Sequence, residues 1–426
     1  MKKSLYFVVL IAAIGGLLGA ILFPADDSGP PASASAPLAP AEQVARGAYL
    51  AKAGDCMACH TARGGAAYAG GRVLDTPFGA LLSPNLTSDR ATGIGDWSAD
   101  DFWRALHNGK SRDGRLLYPA FPYPSYTKVK REDADALYAF FRSLPAVKQA
   151  NRPHRLRFPY NQQIALAAWR ALYFRPAVYR ELSGQSVAWN RGAYLVEGLG
   201  HCAACHSGRN SFGASEGGLS GGLIPVLGWY APALNADTEA GLGDWDARHI
   251  AALLKTGVSP RATVFGPMAE VVEQSLQHLS DSDIGAMALY LKSLSAAEER
   301  PEAAPAPDNS PQAQARLASG AKLYEQHCVA CHGGDGRGKP PAYPALAGNR
   351  ALTMRQAVNP IRIVLHGGFA PGTAGNPRPY GMPAFGPLLN DEEVAALVSY
   401  LRASWGNRAP AVSALEVNRY RGVPLD

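Results

Sequence analysis

The sequence predicts a mainly α-helical protein made of three tandem small domains, each wrapped around one covalently held group. Three observations carry that prediction. One pentapeptide pattern, Cys-x-x-Cys-His, occurs three times, as Cys56-Met57-Ala58-Cys59-His60, Cys202-Ala203-Ala204-Cys205-His206 and Cys328-Val329-Ala330-Cys331-His332. All 6 cysteines of the 426-residue chain lie inside these pentapeptides. Each pentapeptide is preceded by a short helical stretch containing a glycine, and each unit closes with an amphipathic stretch that begins on acidic residues.

The pentapeptide is the pattern that attaches c-type haem. Two cysteines three apart sit about one helical turn from each other, so their sulfurs reach the two vinyl groups on one porphyrin edge, and the adjoining histidine swings under the iron. Zinc needs four ligands, and no second Cys or His pair stands at the required spacing. A redox Cys-x-x-Cys does not require the histidine. Three covalent haem c groups are therefore expected, held by Cys56, Cys59, Cys202, Cys205, Cys328 and Cys331, with His60, His206 and His332 as proximal iron ligands.

From the amino terminus, a basic start at Lys2 and Lys3 leads into an uncharged, largely apolar run over residues 5–23. As a helix it would be about 28 Å long, close to the roughly 30 Å hydrocarbon core and longer than the ~7–15 residues of a signal-peptide apolar region. Its length favours a membrane anchor; a cleaved export signal is the alternative. Both leave the lysines in the cytoplasm and export the rest. Residues 24–41, rich in Pro, Ala and Ser, form a tether. The first domain covers residues 42–150, a helical connector 151–186, the second domain 187–297, a Pro/Ala-rich linker 298–311, the third domain 312–405 and a short polar tail 406–426.

Within the domains, Gly47, Gly192 and Gly320 lie in the opening stretches. Phe140, Tyr290 and Tyr400 hold matching places in the closing ones (residues 132–144, 281–294 and 391–404), each two residues before Arg142, Lys292 or Arg402. This predicts opening and closing helices that cross at the glycine with an aromatic ring packed over it. A second repeat joins only the first two domains: Pro84-Asn85-Leu86 leading to Gly93-Ile94-Gly95-Asp96-Trp97, and Pro232-Ala233-Leu234 leading to Gly241-Leu242-Gly243-Asp244-Trp245. The indoles of Trp97 and Trp245 suit either haem-propionate donors or buried structural rings. The third domain carries Pro344-Ala345-Leu346-Ala347-Gly348-Asn349 instead. In the connector, the apolar helical stretch 164–174 is expected to pack between haem domains or against a partner subunit.

The sixth iron ligand decides whether a haem passes electrons or binds small molecules, and a thioether raises its potential. Of 6 methionines, Met382 in Tyr380-Gly381-Met382-Pro383 fits the third haem and Met268 in Gly266-Pro267-Met268 the second. Met354 is closer to helical sequence, and Met287 on the closing helix reads as core. The first domain has no methionine in the corresponding segment, Tyr118-Pro119-Ala120-Phe121-Pro122-Tyr123. His107, read as a loop residue, is one nitrogen candidate, with Lys128 and Tyr123 behind it, and the first distal ligand stays unassigned. The net charge of +6 is nearly balanced, which offers no basic stripe for nucleic acid. No nucleotide-binding glycine fingerprint or other catalytic motif is present, so no catalytic residue is assigned.

From about residue 44 to 405 the chain resembles the triple-haem cytochrome c subunits of bacterial membrane-bound dehydrogenases acting on alcohols, aldehydes, gluconate and related sugar acids. The segments that carry the resemblance are Gly54-Asp55-Cys56-Met57-Ala58-Cys59-His60, Thr76-Pro77-Phe78-Gly79, the Pro-Asn-Leu-Thr and Gly-Ile-Gly-Asp-Trp pieces, Leu117 to Tyr123, and Phe265-Gly266-Pro267-Met268-Ala269-Glu270-Val271-Val272. The resemblance implies three cytochrome c-like domains, haem-binding methionines at Met268 and Met382, and no methionine ligand carried over to the first haem, since some relatives have Met where Phe121 stands. It implies an electron-transfer subunit on the periplasmic side of the inner membrane. Such a subunit takes electrons from a catalytic partner of flavin, quinoprotein or molybdenum type and passes them to ubiquinone or a terminal oxidase. A multihaem peroxidase using an open first haem is the rival reading, and a soluble shuttle cytochrome a third.

Overall fold

The computed structural model describes residues 38–237, 239–296 and 310–423. The expected anchor at 1–23, most of the tether and most of the 298–311 linker lie outside the described residues. Among the described residues, no helix is long and apolar enough to cross a membrane. The chain divides into two compact units. One holds the described residues up to Glu181 together with Glu197–His201; the other holds Leu182–Val196 and the described residues from Cys202 onward. The first pentapeptide lies in the first unit, and the second and third lie in the other.

One packing solution is used three times. The opening helices Pro40–Ala53, Val187–Tyr194 and Pro311–His327 cross the closing helices Arg131–Ser143, Asp281–Ser293 and Asp391–Ala403. At each crossing a glycine is obligatory. A Cβ on Gly47, Gly192 or Gly320 would run into the carbonyl oxygen of Ala136, Ala286 or Ala396. It would also come within 2.7, 2.9 and 2.7 Å of the Cβ of Phe140, Tyr290 and Tyr400. The residue after each of those alanines, Leu137, Met287 or Leu397, is 1 % exposed. A side chain buried to that degree stabilises by roughly 1.5–3 kcal/mol. Met287 is thus core, as its helical position implies.

Charge pins the first two crossings. Arg46 pairs with Asp133 at 2.6 Å and Arg191 with Asp283 at 2.7 Å, in each case onto a carboxylate that is largely buried. The third crossing has Ser319 in place of the arginine. There Glu393 instead forms a reciprocal capping box with Asn390 at the helix start, satisfying backbone donors that a helix N-terminus otherwise leaves open.

Between opening and closing helices run short hairpins and further short helices. In the first unit, Val73–Thr76 pairs antiparallel with Gly79–Leu82, and the connector strand Arg155–Leu156 adds to it. The connector helix Gln163–Tyr173 packs on the first repeat through Leu166, Ala167 and Arg170. The Arg170 guanidinium stands 5.1 Å from the Tyr123 ring and 4.8 Å from Phe174. The connector as far as Glu181 therefore belongs to the first unit.

The end of the chain also differs from expectation. Residues 406–423, read as a polar tail, carry the helix Ala414–Arg421. Val412 and Val417 join the core of the third repeat with Leu352, Ile361, Val394 and Val398. The polar residues that made this segment look like a tail are its fastenings: Arg421 and Asn418 both bind Asp391, at 2.6 and 2.7 Å.

Candidate haem sites

The three pentapeptides fold as single tight turns. Cys56–His60 is one helical turn. In the second, the His206 N–H donates to the Cys202 carbonyl at 2.9 Å, and in the third the His332 N–H donates to Cys328 at 3.0 Å. Such a turn places both sulfurs of a pair on one side with the histidine beside them, as vinyl attachment requires. None of the six thiols is in a disulfide. Burial pushes the Cys56 and Cys202 thiols up to about 12 and Cys328 up to about 11. A redox-active dithiol would show the opposite shift. Among the described residues, no group of three or more His, Cys, Asp or Glu is placed to hold a metal ion.

Each histidine is oriented by the same device. His60 Nδ1 meets the Pro84 carbonyl at 2.9 Å, His206 Nδ1 meets Pro232 at 2.6 Å, and His332 Nδ1 meets Pro344 at 3.0 Å. A carbonyl can only accept, so Nδ1 carries the proton and Nε2 keeps its lone pair for iron. Burial holds all three imidazoles below the usual histidine range, opposed in each case by the hydrogen bond to the proline carbonyl. The lowering favours the neutral imidazole, the form that ligates. Although the third repeat lacks the Gly-x-Gly-Asp-Trp segment of the first two, its Pro344 performs the same task as Pro84 and Pro232. The signal available was the Pro-x-Leu shared by all three repeats.

Two further roles are not foreseen from the sequence. The basic residues two places after the closing-helix aromatics tie down neighbouring backbone. Arg142 donates to the Gly95 carbonyl and Lys292 to Gly243. Arg402 donates to Pro410 and Arg355, at 2.9 and 3.0 Å. In addition, Arg72 and Arg209 donate to the carbonyls of Ala58 and Ala204, the residues just before the second cysteines.

At the residues expected to lie opposite the histidines the repeats differ. Met268 starts the helix Pro267–Gln274, and Met382 sits in the two-residue strand Gly381–Met382 paired with Gly368–Phe369. Both are half-buried. A glycine pressed on an aromatic ring stands two residues before Met268 and directly before Met382: a Cβ on Gly266 would lie 2.7 Å from Trp229, and one on Gly381 2.6 Å from Phe369. Met354 is 1 % exposed and packs with Ala233 and Ala240, so it is a buttress joining the second and third repeats.

In the first repeat, Phe121 is half-buried, with its ring 5.3 Å from Tyr126. His107 is not in a loop. It lies in the helix Ala99–Asn108, 1 % exposed, with Nδ1 at 3.0 Å from the Thr127 carbonyl and its ring stacked on Trp103 at 4.6 Å. Lys128 pairs with Glu197 at 2.5 Å, and Tyr123, fully buried, faces Phe174 at 4.8 Å. Of the paired tryptophans, Trp245 is buried beneath Arg350, whereas Trp97 is half-buried and its carbonyl accepts from the Tyr138 hydroxyl.

Comparison with known proteins agrees with this geometry. The family model described as Cytochrome c matches residues 44–145, 190–295 and 317–405. The chain is 42 % identical to the gluconate 2-dehydrogenase cytochrome c subunit of Pantoea cypripedii, over 89 % of this chain and 89 % of that one. It is 38 % identical to the cytochrome c subunit of the quinone alcohol dehydrogenase of Gluconobacter oxydans, over 90 % of this chain and 83 % of the other. It is also 36 % identical to the fructose dehydrogenase cytochrome subunit of Gluconobacter japonicus, over 93 % of this chain and 86 % of that relative.

Proposed function

Because the chain belongs to the cytochrome c family, we propose that it is the electron-transfer subunit of a dehydrogenase complex, carrying three haem c groups and handing electrons to ubiquinone or a terminal oxidase. The observation that carries this reading is the threefold proximal device: three histidines, each with Nδ1 tied to a proline carbonyl and Nε2 left for iron. Bound haem supplies one-electron exchange between ferric and ferrous iron. The chain's own residues fix its place and ligation. The six cysteines are the attachment points, His60, His206 and His332 the proximal ligands, and Met268 and Met382 the distal ligands of the second and third haems. The relatives are named as subunits of gluconate, alcohol and fructose dehydrogenases, and a catalytic partner of flavin, quinoprotein or molybdenum type accounts for a chain that carries no catalytic motif of its own. An apolar segment at residues 5–23 would hold the complex at the inner membrane with the haem domains in the periplasm.

The experiment is purification from native membranes in mild detergent. The haems per chain are counted as the pyridine complex, and the bound subunits are identified and offered their substrates. Three haems reduced by the substrate of a co-purifying dehydrogenase is the expected result. A second reading rests on Phe121, which occupies the segment where the other repeats have methionine. An open first haem would suit a peroxidase, and rapid stoichiometric turnover of peroxide by the protein alone would put that reading in place of the first.

A further inference from the structure

The connector helix Gln163–Tyr173 reverses the usual arrangement of a surface helix. Its one charged residue, Arg170, is 7 % exposed and lies with Leu166 and Ala167 on the face packed against the first repeat. Between Gln163 and Tyr173 at its ends, every residue left on the solvent side is apolar or aromatic: Ile164, Ala165, Ala168, Trp169, Ala171 and Leu172. Ile164 and Leu172 are 57 % and 69 % exposed, and Phe158, in the turn leading to the helix, is 80 % exposed. A surface helix normally points its polar residues outward, and an apolar face left open in this way marks a place that something covers.

The chain on either side of the helix fits a lipid surface. No Asp or Glu stands between Asp135 and Glu181, while Arg152, Arg155, Arg157, Arg175 and Arg180 flank the helix and are exposed. The hydrogen bonds of Arg152, Arg157 and Arg175 go to backbone carbonyls, and the first acid downstream, Glu181, is taken by Lys130 at 3.0 Å. Aromatic rings stand at both ends, Tyr160 before the helix and Trp169 with Tyr173, 5.5 Å apart, at its close. An apolar face with aromatic margins and arginines beside it is the composition of a helix lying in a membrane interface, where the arginines meet anionic headgroups. A protein surface fits less well, since protein interfaces carry about one hydrogen bond per 100–200 Å², and the Trp169 indole is the only side-chain donor or acceptor on this face. Acyl chains need none. The position in the chain agrees: residues 24–37, at roughly 3.3–3.6 Å each, span at most about 50 Å, so an anchor at 5–23 would hold the first unit within that distance of the bilayer.

We propose that the helix Gln163–Tyr173 lies in the interface of the inner membrane, with Ile164, Trp169 and Leu172 against the acyl chains and the flanking arginines at anionic headgroups. The first unit then touches the bilayer directly as well as through residues 5–23. The proposal rests on the inner-membrane placement proposed above. Because Arg170 and Phe174 pack on the Tyr123 ring, the contact turns the segment 121–123 toward the membrane side of the first repeat.

The test uses the full chain, purified from native membranes with whatever subunits stay bound. It is placed in vesicles of phosphatidylethanolamine and phosphatidylglycerol that contain a diazirine-bearing phosphatidylglycerol. After illumination, lipid-modified peptides are mapped by mass spectrometry. Label is expected on the connector helix around Ile164, Trp169 and Leu172. Combining Ile164→Glu with Leu172→Glu should lower that label at least about tenfold, because two carboxylates would have to enter the interface, and should leave label on residues 5–23 unchanged. Both side chains are largely exposed, so the double variant keeps its fold, which its haem content and circular dichroism report. Label confined to residues 5–23 would overturn the proposal and leave the face to a partner subunit. Connector label that the double variant does not lower would overturn it too, since the contact would not depend on this face. Label on neither segment would remove the inner-membrane placement itself. Where residues 5–23 are missing from the mature protein, label on the connector alone supports the contact.

Discussion

The proximal and distal sides of the three repeats obey different rules. Proximally the repeats are copies. Each has the same tight turn, the same Nδ1-to-proline contact within 2.6–3.0 Å and the same helix crossing at a glycine. Distally, a helix start presents Met268, a two-residue strand presents Met382, and an aromatic segment with no methionine carries Phe121. The proximal side is constrained by a fixed covalent object, so only one geometry works. The distal side has only to place one atom, or none, and many backbones suffice. In the proposed three-haem subunit, attachment is uniform while the properties of each haem are set separately.

The largest effect should come from breaking the shared frame. Gly320→Val drives a branched side chain into the Ala396 carbonyl and Tyr400, and overpacking of this kind costs about 1–3 kcal/mol. Denaturant unfolding followed by circular dichroism should show the third repeat lost first; an unchanged midpoint would mean the crossing is looser than described.

The distal contrast can be broken in both directions. Met268→Ala should add a carbon monoxide-binding haem and lower one potential, since an iron without its thioether is open. Phe121→Met should do the reverse for the first haem, reducing the bound carbon monoxide by one per chain. Titrating carbon monoxide against the reduced protein reads both variants. If Phe121→Met leaves the stoichiometry alone, the Phe121 segment does not face the first iron.

The smallest effect concerns the terminal helix. The Asn418 and Arg421 hydrogen bonds on Asp391 hold its carboxyl below the usual range. A depressed carboxylate contributes stability that is complete above its unfolded value and is lost as pH falls through the folded one. The helix Ala414–Arg421 should therefore loosen in acid, below about pH 4. Asp391→Asn should remove that pH dependence at a cost of about 0.2–1 kcal/mol, measured by hydrogen exchange of the helix at neutral and acid pH.

What the sequence disclosed follows the same division. The three Cys-x-x-Cys-His turns, the crossing glycines and their aromatic partners were legible, because each depends on residue identity at a fixed spacing. The histidine orientation was not, because its acceptor is a backbone carbonyl 24, 26 or 12 residues away, and a carbonyl leaves no mark on a side-chain pattern. His107 was misplaced in a loop although Ser98 and Asp101 form a capping box that starts its helix. The segment after Trp405 looked like a tail because its helix is fastened by polar pairs more than by an apolar stripe.

The burial of Met354 among residues of the second repeat limits how the molecule can be dissected. Three repeats, each with its own Cys-x-x-Cys-His turn, invite cutting the chain into single-repeat fragments for study. A cut in the 298–311 linker would strip the cover from Ala233 and Ala240 and leave a greasy methionine on the other piece. The first repeat and its connector are the natural fragment to express alone; the second and third should be kept as a pair, and potentials measured on either in isolation would describe an artefact of the scissors.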